Sequence, residues 1–282
     1  ARACRCRERM TAAMSVKLWL LRIAVATSLA DAALAGLLYA LQGFILYHPS
    51  PLQFEPDAQA ITIHAGAGVL HGWVVDPGHP DAVIYFGGNG EAVERDVDSL
   101  RALLPGQSIY LVPYRGYGPN SGVPSEKGIE ADELAVFDFV RARHAHVALF
   151  GRSLGTGVAT YVASRRPIRK LVLVTPYDSI LDIARGRYPL FPIAWLLKDR
   201  YESWRSAERI KAPVLAVLGA DDDVIPRASS DALIAHFHPQ PAVVVIAHAG
   251  HNNLSNSPVY ARSIADFMRV PAATPAIAAP PH

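Results

Sequence analysis

The chain alternates between short apolar runs and longer stretches in which apolar residues recur every three or four positions. Eight runs have the length and composition of strands, near Ala60–His64, Leu70–Val75, Ala82–Phe86, Ser108–Val112, Val147–Phe150, Leu171–Thr175, Val214–Gly219 and Ala242–Ile246. Helical spacing predicts helices near Val93–Leu104, Ile129–Arg143, Leu154–Arg166, Ser229–Phe237 and Val259–Val270. The 129–143 segment puts Ile129, Leu134, Phe137 and Val140 on one face. Its acids come early and its arginines late, the order a helix dipole favours. Strands alternating with helices predict an α/β class, a mostly parallel eight-stranded sheet with helices on both faces. About 230 residues follow the N-terminal segment, a length that suits one such domain. The Pro/Ala-rich stretch 271–282 reads as a disordered tail.

The N-terminal segment departs from this pattern. Leu18 to Tyr47 is about 30 residues dominated by Leu, Ala, Ile and Val, where roughly 20 suffice to cross a hydrocarbon core. Arg22 can snorkel from the near end, whereas Asp31 lies mid-span at a cost of about 2.5–3.5 kcal/mol. A cleaved signal peptide would have a shorter apolar region. Ala33-Leu-Ala35 offers a cleavage-like site, but the run continues past it. A surface helix would need a polar face that this segment lacks. The expectation is a single uncleaved transmembrane signal anchor over 18–47, preceded by a basic leader over 1–17 and followed by a domain over 48–270. Arg2, Arg5, Arg7, Arg9 and Lys17 precede the span, so the leader should stay in the cytoplasm and the domain should lie on the non-cytoplasmic side, periplasmic or extracellular.

Candidate chemistry lies at the ends of the predicted strands. Gly151-Arg152-Ser153-Leu154-Gly155 stands between the Val147–Phe150 strand and the helix from Leu154. A G-x-S-x-G in that setting is the signature of a nucleophile elbow, a turn so sharp that small residues must flank the serine two positions away. A serine needs a base to take its proton, and the base needs a carboxylate to orient it; on this architecture the order is serine, acid, histidine. The strand ending at Gly219 leads into Asp221-Asp222-Asp223, of which the G-x-x-D-x-x-I-P spacing selects Asp222, and Asp178 after the sixth strand is an alternative acid. The last strand leads into His248-Ala-Gly-His251, and His251 is preferred as base because its loop can swing over the sheet edge. An oxyanion hole would draw on the Leu154 N–H and on an N–H of the Gly87-Gly88-Asn89-Gly90 loop, with Asn89 as the candidate. That loop lacks both G-x-G-x-x-G and a following Lys-Ser/Thr, which excludes a nucleotide site.

With these motifs in place, the chain from about Ile45 to Met268 resembles the α/β-hydrolase fold, and within it the membrane-anchored hydrolases grouped near the serine aminopeptidases. The resemblance rests on Leu46-Tyr-His-Pro49, Gly88-Asn-Gly-Glu91, Tyr114-Arg-Gly-Tyr-Gly118, Pro124-Ser-Glu-Lys-Gly128, Gly151-Arg-Ser-Leu-Gly-Thr-Gly157, Gly219 to Pro226 and Gly250-His-Asn-Asn253, in that order. It departs at Gly87 and Pro113, where the family usually has His and Asp. The resemblance implies serine hydrolase chemistry on an ester, thioester or amide, with esterase, lipase or thioesterase activity ahead of peptidase activity.

Three further features narrow the reading. The insertion from about 177 to 209 carries Tyr188, Phe191 and Trp195, expected to form a lid or wall that favours an apolar, lipid-like acyl substrate. No second cluster of His, Cys or Glu joins the three aspartates at metal-ligand spacing, so neither metal nor cofactor is expected. A net charge of +2 is too small to imply nucleic acid, and Cys4 and Cys6 both fall in the leader, which leaves the domain without a disulfide. The basic cluster Arg165, Arg166, Arg169, Lys170, Arg185 and Arg187 reads as solvated surface, as do His144, His146, His236 and His238. The competing class is a catalytically silent hydrolase fold serving as a membrane-tethered binding or scaffold protein.

Overall fold

The computed structural model describes residues 2–66, 68–189 and 191–269, with side chains from residue 17 onward. The stretch 271–282 and the side chains of Cys4 and Cys6 lie outside the described residues. One long helix, α1 (Arg2–Leu46), comes first, so the leader and the predicted span form one continuous helix. Its Lys17–Leu46 portion is long and apolar enough to cross a membrane by length and composition.

Eight strands form one mixed sheet: β1 (Gln59–Ala65), β2 (Gly68–Val75), β3 (Asp81–Phe86), β4 (Ser108–Leu111), β5 (His146–Arg152), β6 (Leu171–Val174), β7 (Val214–Gly219) and β8 (Ala242–Ile246). Their spatial order is β1-β2-β4-β3-β5-β6-β7-β8. β2 runs antiparallel to both β1 and β4, and the six strands from β4 to β8 are parallel. Interior strands β3 to β7 are buried on both faces, which explains why they read as continuous apolar runs instead of alternating ones. Along β3 the pleat sends Ala82, Ile84 and Phe86 to one core, and Val83 and Tyr85 to the other.

The first core is completed by α3 (Glu126–Arg141), α4 (Leu154–Ala163), α7 (Ser203–Ala207) and α8 (Arg227–Ala235) through residues such as Ile129, Phe137, Val158, Ala207 and Leu233. The second is completed by α2 (Val97–Leu103) and α9 (Pro258–Arg269) through Val97, Leu100 and Ile264. Two short helices, α5 (Ile180–Arg187) and α6 (Ile193–Leu196), precede α7 in the expected insertion. α3 begins three residues earlier than periodicity indicates, because Ser125 caps it, its hydroxyl accepting from Gly128 N at 3.3 Å.

The structure buries two residues expected at the surface. His144 is buried between the Tyr110 hydroxyl, 2.7 Å from Nε2, and the His79 carbonyl, 2.8 Å from Nδ1. Lys170 is also buried, and its ammonium donates to Met268 O at 3.0 Å, covering carbonyls that α9 leaves without helical partners.

Candidate active site

From β3 the chain crosses to β4 on one side, and from β5 onward it adds strands on the other. The sheet therefore has its topological switch point between β3 and β5, where a crevice opens at the carboxyl ends of parallel strands. Ser153 sits there, between β5 and α4, with φ 49° and ψ −118°. That conformation is costly for a residue with a side chain and lifts the hydroxyl off the sheet edge. The small flanking residues are required by space. A Cβ on Gly151 would lie 2.4 Å from Gly155 O, and one on Gly155 would lie 2.1 Å from Phe86 O.

His251 and Asp222 converge on this serine from two other loops. His251 Nε2 lies 3.0 Å from Ser153 Oγ, and its Nδ1 lies 2.9 Å from Asp222 Oδ2. With Nδ1–H donating to the carboxylate, Nε2 carries the lone pair that faces the hydroxyl. Asp222 Oδ1 also accepts from Val224 N and Ile225 N, both at 2.9 Å. Burial opposes its ionisation, but the hydrogen bonds from His251, Ile225 and Val224 outweigh this and hold the carboxyl below its ordinary value. The alternative acid, Asp178, points elsewhere: its Oδ1 accepts from Ser179 N at 2.7 Å and from the Ser229 hydroxyl at 2.5 Å. His248 is exposed with φ 58°.

The loop after β3 lies directly beside the elbow. A Cβ on Gly88 would come within 3.5 Å of Ser153 Cβ. The Asn89 side chain is occupied in fixing this loop, since Oδ1 accepts from His48 N and the Tyr117 hydroxyl at 2.9 Å and Nδ2 donates to Leu46 O at 2.6 Å. Leu154 is the first residue of α4, so its N–H has no partner within the helix.

A partly buried ionic network underlies the site and was not singled out from the sequence. Glu91 Oε2 accepts from Gly88 N at 2.8 Å and from Arg152 Nη1 at 2.6 Å, and Oε1 accepts from the Tyr85 hydroxyl at 2.5 Å. Arg152 Nη2 reaches Asn252 Oδ1 at 3.1 Å. One guanidinium thus ties the glycine loop, the elbow and the histidine loop together. Nearby, Asp96 is pushed up to about 8, by burial first and then by the Glu91 carboxylate. The only hint in the sequence was an arginine inside the elbow motif and a glutamate closing the glycine loop.

The insertion residues lie on or beside its two short helices α5 and α6. Tyr188 ends α5, Phe191 is half-buried and Trp195 on α6 is 86% exposed. Among the described residues no hydrogen bond or ring contact joins them to Ser153 or His251, and no cluster of three His, Cys, Asp or Glu could hold a metal ion.

Residues 112–254, half of the chain, match the family model described as serine hydrolase (FSH1). An uncharacterized protein of Mycobacterium tuberculosis is 35% identical over 219 residues, covering 73% of this chain and 76% of its own length. The lysophosphatidylserine lipase ABHD12 of Rattus norvegicus is 32% identical over 171 residues, 52% of this chain and 43% of the lipase. Among solved structures, the esterase Pf2001 of Pyrococcus furiosus superposes with a TM-score of 0.65 at 17% identity, over 79% of this chain and 98% of that one. At that identity the likeness concerns the fold.

Proposed function

Because the chain belongs to the serine hydrolase (FSH1) family, within the α/β-hydrolase superfamily, we propose that it hydrolyses a carboxylic ester of lipid-like character through an acyl-enzyme intermediate. The observation that carries the proposal is the unbroken Ser153–His251–Asp222 hydrogen-bond chain at the switch point of the sheet. Ser153 Oγ attacks the carbonyl carbon while His251 Nε2 takes its proton, and Asp222 holds the imidazole in its productive tautomer and stabilises the imidazolium. The developing oxyanion accepts from Leu154 N–H and Asn89 N–H. Collapse of the tetrahedral intermediate breaks the ester C–O bond, and the imidazolium protonates the departing alcohol. Water, deprotonated by His251, then attacks the acyl carbon, and Ser153 leaves with that proton. No cofactor or metal enters this scheme.

Lipid character is supported by the name of the rat relative, although this chain spans less than half of that lipase, and by the apolar load of Tyr188, Phe191 and Trp195, which we assign to the wall along the acyl group. The resemblance to membrane-anchored hydrolases contributes the anchor to this reading, and not peptidase chemistry. Lys17–Leu46 acts as the anchor, with the hydrolase on the side opposite the basic leader. A reporter fused after His282 should therefore be active only outside the cytoplasm, and cytoplasmic activity would reverse the orientation. The chemistry is tested with a fluorophosphonate probe and p-nitrophenyl esters of rising chain length. Wild type should label and turn over, and Ser153→Ala should do neither while melting within a few degrees of wild type. A folded wild type that ignores the probe would favour the silent scaffold.

A further inference from the structure

The anchor helix passes into the hydrolase without a linker. Tyr47, the residue after α1, is 2% exposed in the first core, and its hydroxyl lies 3.0 Å from both Asp199 Oδ2 and the Tyr201 hydroxyl. The turn that leaves the helix is bonded to the candidate oxyanion loop, through Asn89 Nδ2 to Leu46 O and His48 N to Asn89 Oδ1. One turn earlier, Gln42 donates to Leu196 O at 3.1 Å and accepts from Lys198 N at 2.7 Å. The Lys198 ammonium stands 4.0 Å over the ring of Tyr39. The helix is therefore joined, at three successive levels, to the insertion, and at its end also to the loop after β3 that lies beside Ser153.

We propose that this edge lies against the bilayer surface, with α6 embedded in the headgroup zone, and that the site takes its ester from the membrane instead of from solution. This deepens the proposed function and rests on its two elements, the hydrolase site and the anchor. At a rise of 1.5 Å per residue, the 30 residues Lys17–Leu46 measure about 45 Å, the thickness of a bilayer with its headgroups. Leu46 then ends at the outer limit of the headgroups. Gln42 and Tyr39 lie roughly 7 and 12 Å to the membrane side of Tyr47, and α6 is bonded beside them. The depth of Gln42, which bonds Leu196 of α6, matches the roughly 5–10 Å at which interfacial helices settle.

The exposed side chains agree with this placement. Trp195 on α6 is 86% exposed, Phe44 at the end of α1 is 81% exposed, and Val123, in the connection after β4, is 80% exposed. Val123 and Trp195 lie in the connections after β4 and β6, the outer neighbours of the two strands that flank the switch point, and a Trp at headgroup depth with a Lys nearby is the composition of a membrane-interface belt. An ester held in the leaflet would reach Ser153 with its acyl chain still in lipid, and only its carbonyl would have to rise to the sheet edge.

The test uses the full chain reconstituted in phosphatidylcholine vesicles, with and without lipids brominated near the top of the acyl chain. Emission from Trp195 is taken as the difference between wild type and Trp195→Phe. Brominated lipid should remove at least half of that difference, and an unquenched Trp195 would overturn the placement whatever the protein hydrolyses. Val123→Glu, in the same vesicles, should lower turnover of embedded 4-methylumbelliferyl oleate relative to soluble p-nitrophenyl acetate by about fivefold or more. An unchanged ratio would overturn supply from the membrane. If wild type hydrolyses neither ester, the hydrolase reading has failed, and the quenching result still decides where the edge lies.

Discussion

Glu91→Gln probes the network beneath the site with the smallest change of shape. The amide can keep its oxygen toward Gly88 and Arg152 and turn its nitrogen toward the Tyr85 hydroxyl, so the geometry survives and the charge is lost. Two charge-assisted bonds become neutral, at a difference of about 1 kcal/mol each. The Arg152 side chain keeps 27% of its exposure, so water compensates part of its lost partner, and about 2 kcal/mol is the expected total. If that energy holds the Gly87–Gly90 amides at the position of the transition-state oxyanion, kcat should fall roughly thirtyfold. KM should move less than about threefold, because the change leaves untouched the apolar wall proposed to carry ground-state binding. Tm should drop by about 4–8 °C, as 2 kcal/mol does in a domain of this size. Steady-state hydrolysis of p-nitrophenyl acetate and a thermal melt measure the two effects separately, and Glu91→Asp, which keeps the charge, should recover part of the rate. A kcat within threefold of wild type together with the full Tm drop would refute the reasoning and leave Glu91 with a purely structural role.

Two further outcomes follow from other carboxylates. Asp222→Asn should lower kcat by about 10³–10⁴, by losing the group that orients His251, whereas Asp178→Asn, at a carboxylate that accepts from Ser179 and Ser229, should cost less than about tenfold; equal losses in the two variants would refute this assignment. Glu133 on α3 is 1% exposed, its Oε1 finds no hydrogen-bond partner among the described residues, and burial first, then Asp132, push its carboxyl well above the ordinary value. The folded protein therefore binds this proton more tightly than the unfolded chain. Its contribution to stability is complete below the unfolded value and is lost as pH rises toward the folded one, by up to about 1.4 kcal/mol per pH unit. Glu133→Gln has no proton to lose, so its Tm relative to wild type should rise between pH 5 and pH 8, and a difference that stays constant over that range would contradict the argument.

Much of the candidate site was legible because each part is local. Ser153, Asp222 and His251 each stand within a few residues of the end of an apolar run, and strand, tight turn and reactive side chain form one contiguous word. The eight strands were legible for a similar reason, since the buried interior strands are apolar on both faces. The insertion was less so. α5, α6 and α7 are 8, 4 and 5 residues long, too short for a 3.6-residue period to register, and their packing is set by α1, α4 and α8.

Local order of residues along the chain determined the class of sheet, the elbow with its glycines, and which loops offered a candidate acid or base. Those choices are fixed by sterics and burial within a dozen residues, and no distant partner can alter them. Tertiary structure alone decided among partners far apart in sequence. It gave Asp222 and not Asp178 to His251, joined Glu91 to Arg152 across adjacent strands β3 and β5, buried His144 and Lys170, and seated α1 against the loop at Asn89. Each of these is a polar group finding its complement in a place that only the assembled sheet provides. The energy that selects it, desolvation balanced by a well-placed hydrogen bond, does not exist until the chain has folded.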